Sequence, residues 1–191
     1  MGIAIAEAFA REGAEVKLVL GPTHLQAENK DIQTIAVTSA DEMHEHCRLL
    51  FPSMDIAVMT AAVSDYKPKA AFVEKIKKAP GSLQLDLIPT PDILAELGRL
   101  KNKKQFLVGF ALETHHAEEN ALSKLHKKNL DLIVLNSLED PGAGFRHQTN
   151  KVSFFDRSGD AVHFDLKSKT EVARDLLDHL IMMQTSKKSG K

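Results

Sequence analysis

The residue types best suited to chemistry gather in a few short stretches. Lys75-Ile76-Lys77-Lys78 packs three lysines into four residues, just before Ala79-Pro80-Gly81. It reads either as a solvated charge run or as a loop whose ammonium groups close over phosphates as point charges. Asp65 stands in Ser64-Asp65-Tyr66-Lys67-Pro68, directly after an apolar run. It is either part of a surface loop or a hydrogen-bond acceptor for a base or a ribose. Pro91-Asp92-Ile93-Leu94 opens a helix; that is either an ordinary capped start or a set of unpaired N–H groups able to hold an anion or a carbonyl. Lys124 and Lys128 are four residues apart on one helix face. They are solvated, paired with Glu118 or Asn120, or placed to meet a triphosphate.

Other chemistries find less support. His44 and His46 are two apart on a predicted helix and do not share a face; His115 and His116 are adjacent and also diverge. Metal-ligand spacings are therefore missing, and no metal site is expected. Cys47 sits near Leu50 and Phe51 and reads as a core residue. Neither G-x-S-x-G nor a Walker A pattern is present.

The elements that must position these residues follow from hydrophobic spacing. Gly2 to Arg11 reads as a helix with Ile3, Ala6 and Ala10 on one face, stopped by Gly13. Strands are expected at residues 16–20 and 32–37. Ser39 to Phe51 reads as a helix with Ser39 and Glu42 spaced as a capping box. Met54 to Ala61 looks like a strand buried on both faces. The lysine-rich stretch 62–82 breaks the pattern. A strand at 83–88 then leads into a helix, with Thr90 as N-cap and Pro91 at its first position. Phe106–Leu112 and Asp131–Asn136 read as strands around a helix over 114–128. Residues 151–155 and 161–164 form a hairpin. Ser168 to Met183 is the last helix, with a second capping box at Ser168 and Glu171.

Alternating strands and helices imply an α/β fold, a doubly wound, mostly parallel sheet with a C-terminal antiparallel hairpin. The expected domain is residues 1–184, followed by a disordered tail, 185–191. Such a sheet normally begins with a central strand and a glycine-rich turn, whereas this chain begins at the helix that would follow them. The first central strand is therefore expected to be missing. Ligands of open α/β sheets bind beyond the carboxyl ends of the strands. That points to residues 61–78, 89–92, 110–114 and 136–150.

Composition narrows the function classes. The chain has 191 residues, 43% of them hydrophobic and 27% charged, which is ordinary for a globular domain. Twenty-five Lys and Arg against 26 Asp and Glu give a net charge of −1, so bulk charge points to no nucleic-acid partner. A single cysteine excludes an internal disulfide framework. No apolar run approaches the ~18 residues that cross a bilayer. The protein is read as cytoplasmic, with no membrane association.

Taken in order, MGIAIAEAF, TAAVSDYKP, KIKK, PTPDIL, VGFALET, KKNLDLIVLN, GF…TNKV and KSKTEVA resemble phosphopantothenoylcysteine synthetase over nearly the whole chain. The resemblance implies a Rossmann-like ligase that works as a homodimer with Mg²⁺. It would activate the carboxylate of 4′-phosphopantothenate with CTP, as an acyl-cytidylate, and pass the acyl group to L-cysteine. Ala61 and Asp65 resemble the family's nucleotide-binding loop. Pro91, Asp92, Ile93, Leu94 and Phe110 resemble its base pocket, and Lys124 and Lys128 its triphosphate lysines. Lys75 resembles the lysine of a mobile loop that closes over the acyl-nucleotide; it is the expected catalytic residue. The family's glycine-rich loop and Asn-x-x-Ser-x-Lys segment are not matched. The flavin-dependent decarboxylase often fused to such synthetases is not matched either, so no flavin is expected. Two alternatives stand beside the ligase. One is a nucleotide-binding homologue that is catalytically incomplete; the other is a dinucleotide-dependent oxidoreductase, which lacks its G-x-G-x-x-G fingerprint.

Overall fold

The structure, a computed structural model, describes residues 1–70, 74–77, 81–113, 115–137 and 149–189. Its frame is a five-stranded sheet of β3 (Ile56–Met59), β6 (Phe106–Glu113), β7 (Leu132–Ser137), β9 (Val152–Asp156) and β10 (Ala161–His163). The spatial order is β10-β9-β7-β6-β3. β3, β6 and β7 run parallel, while β9 and β10 are antiparallel. The hairpin expected at the C-terminal end is therefore present, and Gly159 turns it at φ 91°.

Side-chain alternation divides the core in two. Phe106, Val108, Leu132, Val134, Val152 and Phe154 face α1 (Gly2–Arg11) and α5 (Lys169–Ser189). Leu107, Ala111, Ile133, Leu135 and Phe155 face α2 (Ala40–Leu50), α3 (Ile93–Leu100) and α4 (Ala117–Lys127). Helices thus cover both faces, as the alternating pattern required.

β1 (Lys17–Leu20) and β2 (Gln33–Ala36) form a separate parallel pair. Val19 and Ile35 pack on the same α2-side core as Ala57 and Met59 of β3. Among the described residues no ladder joins β1 to β3. The interruption explains why β3 is half-buried throughout rather than buried on both faces.

Several local expectations are corrected. The pattern break after Ala61 contains a strand, β4 (Tyr66–Pro68), which pairs with β5 (Leu87–Pro89). The strand expected at 83–88 is thus shorter and later, and Leu83, Leu85 and Leu87 are exposed. Asp92, not Thr90, caps α3: its Oδ1 accepts from Ala95 N–H at 3.0 Å. Thr90 instead clips the preceding loop, its Oγ1 donating to the Ser64 carbonyl at 2.5 Å. α4 begins at Ala117, after His116 in a left-handed conformation, and Thr114 lies outside the described residues. The capping box at α5 is reciprocal, with Ser168 N–H on Glu171 Oε2 at 2.8 Å and Glu171 N–H on Ser168 Oγ at 3.2 Å. At α2 the box is half formed. Ser39 accepts from Glu42 N–H, but Glu42 turns to Thr38. α5 continues through Ser189, so the expected tail is helical to that point.

Two tertiary anchors hold the frame. Asp131 Oδ2 accepts from Leu107 N–H at 2.8 Å and from Lys101 Nζ at 2.6 Å, with both charged side chains largely buried. The buried Gln105 donates to the Phe51 and Met54 carbonyls at 2.6 and 2.9 Å. Cys47 packs against the α2-side core, and burial pushes its thiol up to about 11.

Asp131→Ala should lower unfolding free energy by about 3 kcal/mol, because Lys101 would remain buried without its partner. Chemical denaturation would measure it; a loss under 1 kcal/mol would contradict this role. Native Cys47 should react with iodoacetamide at pH 8 about a hundredfold more slowly than free cysteine, because little thiolate is present. A rate near that of free cysteine would show an unshifted thiol.

Candidate ligand-binding cleft

Parallel strands end together, and their carboxyl ends leave a crevice between the helices of the two faces. Here that crevice lies beyond β3, β6 and β7 and has a volume of about 560 Å³. Residues 59–65 run along it after β3, and Thr90 to Leu94 form a wall at the start of α3. Phe110 to Leu112 supply the floor from β6, and Lys124 and Lys128 reach in from α4.

Nine of the ten residues singled out from the sequence thus lie on one cavity: Ala61, Asp65, Pro91, Asp92, Ile93, Leu94, Phe110, Lys124 and Lys128. Lys75 does not line it. It is exposed on the excursion between β4 and β5, and Lys78 lies outside the described residues.

The cleft lysines pair differently from the expectation of Glu118 or Asn120. Lys124 meets Glu113, at the end of β6, while Lys128 Nζ lies 3.0 Å from Asp92 Oδ2. Burial pushes the Asp92 carboxyl up, but the Ala95 N–H bond and the Lys128 ammonium outweigh it, so it lies below the ordinary carboxylate range. His44 belongs to a scaffold contact rather than to a metal site: its Nε2 lies 2.6 Å from Glu96 Oε2 and ties α2 to α3. Among the described residues no three His, Cys, Asp or Glu side chains gather to hold a metal.

Lys128 is held from behind. A methyl group built on Gly98 would lie 1.9 Å from the Lys128 carbonyl oxygen. Asn129, left-handed at φ 53°, donates from Nδ2 to the Gly98 carbonyl at 2.7 Å and accepts from Arg157 at 2.7 Å. This contact fixes the α4 terminus against α3, and with it the spacing of Lys128 and Asp92.

Met1, Gly2, Thr60 and Lys169 complete the lining without having been singled out from the sequence, and Asn136 and Asn150, the two ends of the expected segment 136–150, line it as well. Gly2 is close-packed, since a methyl group there would lie 2.8 Å from Thr60 Oγ1. Asn136 and Asn150 are buried, and among the described residues each Oδ1 lacks a hydrogen-bond partner. The available signal for Asn136 was a polar residue closing the apolar run Asp131–Asn136 at the carboxyl end of a strand.

Fold and cleft together define an α/β domain with a ligand cleft at the carboxyl edge of a parallel sheet. Residues 1–183 match the family described as the DNA/pantothenate metabolism flavoprotein C-terminal domain, and the chain belongs to that family. It is 51% identical over 183 residues to a cysteine/cysteine sulfinic acid decarboxylase of an unknown prokaryotic organism, covering 96% of this chain and 51% of that protein. It is 42% identical over 190 residues to the coenzyme A biosynthesis bifunctional protein CoaBC of Bacillus subtilis (strain 168), covering 100% of this chain and 46% of that one. The crystal structure of a CoaBC C-terminal domain matches with a TM-score of 0.81 at 37% identity, covering 97% of this chain and 82% of that chain. The chain spans about half the length of the curated relatives it matches. No described helix is long and apolar enough to cross a membrane.

Asp92→Asn should tighten binding of inorganic pyrophosphate by up to about fivefold at low salt, because an exposed ion pair that competes for Lys128 is worth at most ~1 kcal/mol. Asparagine caps a helix as well as aspartate, so thermal stability should stay nearly unchanged. Titration calorimetry would check it; weaker binding would show that the carboxylate helps to form the anion site.

Proposed function

We propose that this chain is the synthetase part of a coenzyme A biosynthesis enzyme, a ligase that joins 4′-phosphopantothenate and L-cysteine at the expense of CTP. The observation that carries the reading is the convergence of Asp65, the Pro91–Leu94 turn, Phe110, Lys124 and Lys128 on one cavity at the carboxyl edge of the sheet. The CoaBC relatives supply the reaction by analogy.

Phe110 and the Pro91–Leu94 turn present an apolar surface and backbone groups to the base. Asp65 accepts from the ribose or the base. Lys124 and Lys128 bind the triphosphate and stabilise the charge that develops on departing pyrophosphate. A carboxylate oxygen of phosphopantothenate attacks the α-phosphorus and the bond to the β-phosphate breaks. The amine of cysteine then attacks the acyl carbon, CMP leaves, and the nitrogen gives up a proton. Lys75 closes over the acyl-cytidylate and shields it from water during the second step. Mg²⁺ enters this scheme with the CTP substrate, carried on its phosphates.

A homodimer is also proposed. β10 leaves an exposed sheet edge, and Tyr66, Leu83, Leu85 and Leu87 expose apolar surface beside the cleft loop. A monomer mass by light scattering at micromolar concentration would exclude it.

In the protein that carries this chain, CTP and phosphopantothenate should release pyrophosphate, and added cysteine should yield the amide. Titration calorimetry should show tighter binding of CTP than of ATP; equal or stronger ATP binding would remove the CTP assignment. Lys75→Gln should leave CTP affinity within about twofold, since ordering a flexible loop lysine offsets most of its ground-state attraction. It should slow amide formation at least about tenfold and let acyl-cytidylate accumulate. Loss of CTP binding, or a wild-type rate of amide formation, would remove Lys75 from this role.

A further inference from the structure

The cleft has a second compartment that the nucleotide reading leaves without a task. Asn136 follows Val134 by two residues and pairs in register with Val152, while Asn150 precedes Val152 by two. Val134 and Val152 face α1 and α5, so period-two alternation places both asparagines on that side of the sheet. Phe110, opposite Val134, packs on this side too, whereas Asp92, Lys124 and Lys128 reach the cavity from α3 and the end of α4 on the other face.

Three features meet there. Asn136 is 9% exposed and Asn150 7%, and among the described residues neither Oδ1 has a partner. Buried carbonyl oxygens of this kind are costly unless a donor reaches them. The β8–β11 pair (Thr149–Asn150 with Lys167–Ser168) sets Asn150 opposite Lys167, and this brings Lys169, at the start of α5, to the same cavity. Two acceptors thus stand beside a cation. A phosphate brings acceptors only and would leave both asparagine oxygens unpaired. A group with N–H donors next to a carboxylate satisfies the whole set.

We propose that this compartment binds the amino-acid substrate, an inference that rests on the ligase reading above. Asn136 and Asn150 accept from its α-amino group, and Lys169 receives its α-carboxylate. Held in this way, the amine sits at the end of the cavity away from Lys124 and Lys128. From there it adds to a face of the acyl carbonyl.

The test uses the whole protein that carries this chain, with CTP, phosphopantothenate and either cysteine or cysteamine, which lacks the carboxylate. Wild-type release of pyrophosphate from CTP and phosphopantothenate without amine checks the ligase reading by itself; if there is none, that reading fails. Given that release, Asn136→Leu should raise KM about tenfold or more for both amines, the loss expected for a hydrogen bond at a buried polar site. KM for CTP and for phosphopantothenate should change less than threefold. Lys169→Met should raise KM for cysteine about tenfold but leave cysteamine nearly unchanged. Asn136→Asp, which keeps an acceptor oxygen, should recover much of the Asn136→Leu loss, and thermal unfolding identifies any variant that fails to fold. For a misfolded Asn136 variant, Asn150→Ser carries the same test. Raised KM for phosphopantothenate, or for CTP, would assign the compartment to that substrate and overturn the proposal. So would unchanged KM values throughout, or equal effects of Lys169→Met on cysteine and cysteamine.

Discussion

The cleft depends on one close approach, the contact of α3 with the end of α4. Gly98 has no side chain, so the Lys128 carbonyl can lie where a β-carbon would otherwise stand, 1.9 Å away. Asn129 closes the contact with a hydrogen bond to the Gly98 carbonyl at 2.7 Å, and its left-handed backbone turns the chain toward β7. The N-terminus of α3 carries Asp92 and the end of α4 carries Lys128, so the same contact sets both walls of the cavity. Gly98→Ala would have to separate two helices whose other faces are already packed against the sheet. Overpacking of this kind ordinarily costs about 1–3 kcal/mol. Here the strain would move Lys128 as well as lower stability.

Much of the frame was legible because it rests on local periodicity. The α1 boundaries, the buried strands β6 and β7, the C-terminal hairpin and the Ser168–Glu171 capping box follow from spacing alone. Departures occur where tertiary contacts outvote local signals. Thr90-Pro91 looks like a helix start, yet Thr90 is occupied by the Ser64 carbonyl and the cap falls to Asp92. Glu42 has the spacing of a capping box, yet Thr38 offers it both an N–H and a hydroxyl. β4 was hidden because three residues with a proline among them carry no periodic signal, and only the pairing with β5 makes them a strand.

The site divides along the same line. Residues at strand ends or at the first turn of a helix were legible because the fold class says where its ligands lie. Asn136 and Asn150 were harder to find. In sequence they mark only the ends of the segment 136–150, and their burial appears only once β9 is laid beside β7 and α5 covers both. Lys75 poses the opposite case. Its neighbours mark it strongly, but it is exposed on the excursion between β4 and β5 and does not line the cleft.

Lys124 and Lys128 are already paired before any ligand arrives. Glu113 neutralises Lys124, and Asp92 neutralises Lys128. An incoming polyphosphate therefore exchanges partners instead of meeting bare ammonium groups, and its affinity is the difference between two sets of ion pairs. That difference is smallest for a single phosphate and grows with each additional charged oxygen that replaces a carboxylate. Asp92 is also tied to the N-terminus of α3 through Ala95, so it keeps one hydrogen bond when Lys128 leaves it. Glu113 has a weaker hold, a 3.4 Å contact from Asn120 Nδ2. Lys128 can thus be released at low cost while Lys124 gives up its partner less readily. The two lysines, alike in sequence and four residues apart, are unequal as phosphate ligands, and Lys128 is the one that the scaffold leaves free to turn.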